Sequence, residues 1–152
     1  MTEVSGFRMY ALRLVYLLNF VNGGLTFWPG LLNPGKPLGL FDGVAFSFWA
    51  ALTALMVLGL RYPLQMLPLL LLQLFYKTVW LLAVALPLRS ADQWDSTTTK
   101  WTEIFVAAVV IDVLVMPWAY VLANYVKRPG DKWSLPRPTG RATQAQAQGA
   151  AR

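Results

Sequence analysis

The sequence predicts an all-α protein, a four-helix transmembrane bundle with both termini in the cytoplasm. Three observations lead there. The 152 residues are 57% hydrophobic and only 13% charged, whereas a soluble domain carries about a quarter charged residues. The apolar residues fall into four blocks of about twenty, the length that crosses a hydrocarbon core of ~30 Å. Within hydrocarbon every backbone N–H and C=O must find a partner in its own segment, so such blocks are helices; barrel strands would be shorter and alternating. The chain also has no cysteine and no histidine. That removes disulfides, thiol chemistry, ordinary zinc sites and axial histidines for haem. No metal and no cofactor are expected.

The spans are expected at about residues 9–28, 40–60, 66–87 and 102–125. Trp28, Pro29 and Gly30, with Asn33, Pro34, Gly35 and Pro37, read as breakers that close the first hairpin. Arg61, Tyr62 and Pro63 make a tight turn between the second and third spans. The segment 89–100 is a polar loop with Asp92, Asp95 and Thr97 to Thr99. Residues 1–133 form the membrane domain. The tail 134–152 is rich in Pro, Gln, Ala and Arg, has almost nothing apolar to bury, and is expected to be a disordered basic cytoplasmic segment.

Orientation follows from the basic residues. With four spans, one side holds Arg8, Arg13, Arg61, Lys127, Arg128, Lys132, Arg137, Arg141 and Arg152, against Lys36, Arg89 and Lys100 on the other. Cationic loops stay inside, so the termini are cytoplasmic. The net charge of +6 thus describes a membrane inner face with anionic headgroups as partner, not a nucleic-acid surface. Lys127, Arg128 and Lys132, beside the last span, are the expected headgroup contacts. Trp28, Trp94 and Trp101 would sit at the outer interface, and Tyr10, Tyr62, Tyr125 and Trp133 at the inner one. The first apolar block is too long for a signal-peptide core and no small-x-small cleavage site follows it, so no cleaved leader is expected.

Charges in the middle of a span are costly and rare. Lys77 and Asp112 are both ten residues in from the outer ends of consecutive antiparallel spans, about 15 Å deep at 1.5 Å per residue. They are expected to meet as an ion pair. Asn19, Asn22, Thr53 and Gln73 reach the same layer, with Gln73 one turn from Lys77 on the same face. Pro117 has no N–H and clashes four residues back, which frees the Val113 carbonyl beside Asp112. That carbonyl, Asp112 and Asn19 could satisfy the three donors of the Lys77 ammonium.

Two readings of this layer compete. In one, the pair fixes helix contacts and register; in the other, it binds a proton, ion or small polar ligand. Buried pairs are weak evidence for stability, and intramembrane charges mark function by default. A one-to-one pair, however, leaves no spare charge to titrate, and the balance falls modestly on the structural side.

Gly43, Ser47 and Ala51, and Ala50 with Ala54, form small-residue ridges that suit close packing within the bundle or between subunits. Asn22, Gly23 and Gly24 read as a close helix approach or a kink. Trp49, Trp80 and Trp118 lie within spans and are expected to point into the bundle or a pocket. The acidic residues Asp42, Asp92, Asp95 and Glu103 lack calcium-loop spacing, and a short loop would hold two catalytic carboxylates poorly. The nucleophile-elbow, zinc-peptidase and phosphate-loop motifs do not occur.

Met116 to Tyr120, followed by Asn124 to Trp133 with its Pro-Gly-Asp-Lys-Trp ending, resembles the end of a group of small four-span bacterial inner-membrane proteins without assigned activity. The Arg61-Tyr62-Pro63 turn is more loosely similar. The resemblance implies a multi-pass protein of the bacterial inner membrane. The topology is similar to that of DoxX-type four-helix membrane proteins, and topology alone does not license function.

The function expected from these residues is that of a non-enzymatic membrane protein, an accessory, assembly or small-ligand-binding subunit, acting as a homo-oligomer or with a membrane-protein partner. The alternative is a small oligomeric transporter or proton-coupled carrier with Asp112 titrating against Lys77. A lipid-modifying enzyme comes last, lacking the His and Cys that most such sites use.

Overall fold

The computed structural model describes residues 4–130 except 34 and 36, and these are helical throughout with no strand among them. The tail 134–152, Lys132 and the other basic positions beyond 130 lie outside the described residues.

Helix α1 spans Gly6–Leu32 and opens on a Ser5 cap, whose hydroxyl accepts from the Arg8 N–H. Pro29 does not stop it. It lies in the last turn, where its missing donor costs a single ladder bond, and its own carbonyl accepts from Asn33 N–H. Helix α2 spans Leu40–Arg61 and α3 spans Leu67–Trp80. The α3 rod continues through a π turn, Leu81–Ala85, into the short helix α4, Leu86–Ser90. The π turn has a local cause. Pro87 cannot donate to Ala83, and the ladder widens so that Leu86 N–H bonds Leu81.

Helix α5 spans Ser96–Val115 and starts two turns earlier than expected, because Asp95 caps it by accepting from Thr98 N–H at 2.7 Å. The polar loop thus shrinks to residues 91–95, where Asp92 takes a left-handed φ of 58°. The last expected span is not one straight helix. At Met116 and Pro117 the chain breaks, and the following segment, α6 (Trp118–Val121) with a π turn at Leu122–Val126, departs from α5 by 73°. Proline's missing donor and its clash with the preceding turn account for the bend.

By length and composition α2 and the Leu67–Ser90 rod can cross a membrane, and the bent pair Ser96–Val115 with Trp118–Val126 makes a third crossing if taken as one span. The chain therefore has two to three helices of membrane-spanning character. The four-span count exceeds this by α1, whose apolar run is interrupted by Arg13, Asn19, Asn22 and Thr26.

Packing divides the bundle into two ends. At the end holding the α2–α3 turn, Leu12, Tyr16, Met56, Leu67, Leu70 and Met116 form a closed apolar core. The turn itself is tied by side chains that satisfy its carbonyls: Arg13 Nε donates to Leu60 at 3.2 Å, Tyr16 to Pro63 at 3.0 Å and Tyr125 to Leu64 at 3.3 Å. At the other end aromatic rings replace aliphatics.

Glycines set how α1 meets α2. A side chain at Gly59 would fall into the Tyr16 ring, one at Gly23 into Thr53, and one at Gly30 would come within 2.8 Å of the Phe46 ring. Gly23 is thus the predicted close approach, while Gly24 has open space. The predicted ridge of Gly43, Ser47 and Ala51 does not pack inside. Nothing lies within 4 Å of a Cβ built at Gly43, and Ser47 and Ala51 are exposed. Ala50, by contrast, is buried.

Candidate site: a cavity at the polar layer

Between the apolar core and the aromatic end lies a cavity of about 550 Å³, in the size range of small-molecule sites. All four long helices line it, and so do all six polar residues singled out from sequence: Asn19 and Asn22 from α1, Thr53 from α2, Gln73 and Lys77 from α3, and Asp112 from α5. Residues counted to one depth along four helices thus line one cavity.

Their pairing differs from expectation. Lys77 and Asp112 are buried at 6% and 2% exposure, yet no carboxylate oxygen lies within 4.0 Å of the Lys77 ammonium among the described residues. Asp112 Oδ2 instead accepts from Gln73 Nε2 at 3.1 Å. The Lys77 ammonium sits 5.9 Å from the Phe105 ring centre and 6.0 Å from that of Tyr76, the outer reach of a cation–π contact. The direct ion pair is replaced by a Gln73–Asp112 bond and a cation facing the cavity.

Among the described residues neither of the other expected acceptors, Asn19 and the Val113 carbonyl, is hydrogen-bonded to Lys77, and the polar layer makes local bonds instead. Asn19 Nδ2 donates within its own helix to the Val15 carbonyl at 2.8 Å. Asn22 does the same to Leu18 at 2.9 Å, and Thr53 to Ala50 at 3.0 Å. The Val113 carbonyl freed by Pro117 is taken by the Trp118 indole N–H at 2.9 Å. Trp118 therefore bridges the bend, half exposed, and is not among the residues that line this cavity. Each of the two asparagines that line the cavity thus places one of its two N–H groups on its own helix, a bond in which its amide oxygen takes no part.

The aromatic end was not foreseen as a unit. Trp49 of α2 stacks on Trp101 of α5 with centroids 5.8 Å apart and planes 21° from parallel. Phe27 of α1 lies 5.0 Å from Trp49, and Phe105 lies 5.6 Å from Trp101. Trp80 and Tyr76 of α3 meet Phe105 edge-on at 5.1 and 5.9 Å. One chain of rings thus links all four helices over the polar layer. Trp101, expected at the interface, belongs to it. The available signal was the i, i+4 spacing of Trp101 with Phe105 and of Tyr76 with Trp80.

Outside this cavity, Lys127 and Arg128 are exposed at the chain's last described turn, and Lys132 lies outside the described residues. Comparison with protein-family models, with curated proteins and with solved structures finds no match to this chain.

Proposed function

We propose that this protein is a non-enzymatic integral membrane protein that binds a small molecule in the cavity at the middle of its bundle. The observation that carries the reading is the state of the buried charges. Lys77 is buried without a carboxylate within 4.0 Å and lines a cavity of about 550 Å³ shared with Asp112. A pair serving structure alone would close on itself, because the cost of desolvating two ions is offset only by close, fully hydrogen-bonded geometry.

The setting we propose is a four-span bundle of the bacterial inner membrane with cytoplasmic termini. Arg8, Arg13 and Arg61 gather with Lys127 and Arg128 at the α2–α3 turn end, in keeping with cationic residues staying inside. α1 then crosses as the fourth span, with Asn19, Asn22 and Thr26 lining the cavity.

The test is native mass spectrometry of the full chain released from membranes. The parent is expected to retain a bound small molecule, and Ala108→Trp, which fills the cavity from α5, is expected to lose it. Identical spectra for both, with phospholipid adducts alone, would overturn the reading.

A carrier role is the second reading, favoured by one feature. The bend at Pro117 lies one turn and a half from Asp112, and broken helices accompany mid-membrane sites in transporters. Ligand uptake into proteoliposomes, against binding alone, separates the two.

A further inference from the structure

We propose that the ligand is a neutral, flat-ringed lipophilic molecule bearing a carbonyl-type acceptor, and that it enters sideways from the bilayer between α1 and α5. This rests on the binding reading above and specifies its chemistry. Four observations converge on it.

Charge comes first. Among the described residues Lys77 and Asp112 are the only charged side chains lining the cavity, and they cancel. A ligand with net charge would leave an uncompensated ion at low dielectric, where desolvation costs several kcal/mol. The hydrogen-bond inventory comes next. Among the described residues Lys77 offers three donors with no protein acceptor bound to them, whereas the Asn19 and Asn22 amides each already place one N–H on a carbonyl of their own helix. The strongest unmet demand in the site is therefore for an acceptor at Lys77.

The walls define the body of the ligand. Phe27, Trp49, Tyr76, Trp101 and Phe105 face the same space, and rings prefer to stack on or meet other rings edge-on. The opening defines the route. Leu18, Asn22 and Thr26 on α1 and Ile104, Ala107 and Ile111 on α5 line the cavity and are exposed at the same time. Residues 18 to 26 span about 12 Å along the helix, so the mouth is a slot in the side of the bundle. A lateral slot in membrane-spanning helices admits what is dissolved in lipid.

Equilibrium binding of radiolabelled probes to the full chain in nanodiscs, net of empty discs, tests this with one ring system: naphthalene, 2-acetylnaphthalene and 2-naphthoate. In the parent, 2-acetylnaphthalene is expected to bind at least about tenfold tighter than either of the others, the factor one hydrogen bond to a charged donor supplies. Lys77→Met is expected to abolish the preference over naphthalene while naphthalene itself binds within about twofold of parent, which also shows that the variant is folded. Ala107→Trp, at the slot, is expected to weaken all three.

Tightest binding by 2-naphthoate, or no preference for the ketone over naphthalene, would overturn the ligand class and leave the binding reading standing. Saturable ketone binding unaffected by Ala107→Trp would overturn the lateral route. No saturable binding of any probe to the parent would overturn the class, and unchanged native spectra for Ala108→Trp would then remove the binding reading with it.

Discussion

Gly59→Ala is a single added methyl, and the structure makes it one of the costliest small changes available. The new Cβ would fall into the Tyr16 ring, which is fully buried. The ring cannot simply swing aside, because its hydroxyl donates to the Pro63 carbonyl at 3.0 Å in the same buried region. Overpacking of this kind costs about 1–3 kcal/mol. If the ring yields instead, a buried bond is lost, worth a further 1–3 kcal/mol or so once its partners are left unpaired. The two together give an expected loss of about 2–6 kcal/mol. Intrinsic propensity runs the other way, since Ala in a helix interior is favoured over Gly by about 1 kcal/mol. The sign of the measured change thus reports whether the ring lies against Gly59. The assay is unfolding in mixed micelles of dodecyl maltoside and SDS, followed by helical circular dichroism. In a Tyr16→Ala background the same substitution is expected to become neutral or stabilising by up to about 1 kcal/mol, as propensity takes over. A stabilised Gly59→Ala in the parent background would refute the packing argument.

Three further outcomes are expected. Gln73→Leu removes the side-chain donor bonded to Asp112 and is expected to cost about 1–3 kcal/mol in the same assay, with Gln73→Glu costing more because it places a second carboxylate there. Asp95 lies outside the spans, and the Thr98 hydroxyl and backbone N–H hold its carboxyl below the usual range. A depressed folded-state pKa means the cap's contribution is present above the ordinary Asp value and disappears as pH falls through the lowered one. The Tm gap between parent and Asp95→Ala is therefore expected at neutral pH and to close in acid. Finally, because the chain has no cysteine, single cysteines report topology directly. Thr97→Cys is expected to react with an impermeant maleimide from outside intact cells, and Ser5→Cys and Gln65→Cys only after permeabilisation; the reverse pattern would invert the proposed orientation.

The height of each polar residue was readable from the sequence, and its partner was not. Counting residues along a helix fixes depth to within a turn, which is why Asn19, Asn22, Thr53, Gln73, Lys77 and Asp112 all line one cavity. It does not fix the azimuth at which two helices face each other. Gln73 and Lys77 share a face one turn apart, and the rotation of α5 decides which of them Asp112 reaches; it reaches Gln73. The prolines show the same division. Pro117 frees the Val113 carbonyl as expected, yet the nearest donor is Trp118, one residue beyond the break. Pro29 lies in a last turn with little ladder to break, and α1 runs through it. The small-residue ridge of α2 is regular in sequence and idle in packing, because the close approaches to α1 fall at Gly23, Gly30 and Gly59, where an aromatic ring or a branched side chain occupies the space opposite.

The two sides of the slot are held differently, and that bears on how a ligand could pass. α1 is fixed to α2 near both ends, by Tyr16 on Gly59 with its bond to Pro63, and by Phe46 on Gly30. Between them Gly23 rests on Thr53, so the spacing of α1 from α2 is set by side chains seated on glycines. α5 has no such seams with α1. Its attachments include the ring contacts of Trp101 and Phe105 at one end, the Gln73–Asp112 bond in the middle and the packing of Val115 and Met116 against the apolar core, and beyond Met116 it is broken by Pro117. Trp101, Phe105 and Asp112, which tie α5 to its neighbours, are also residues that line the cavity.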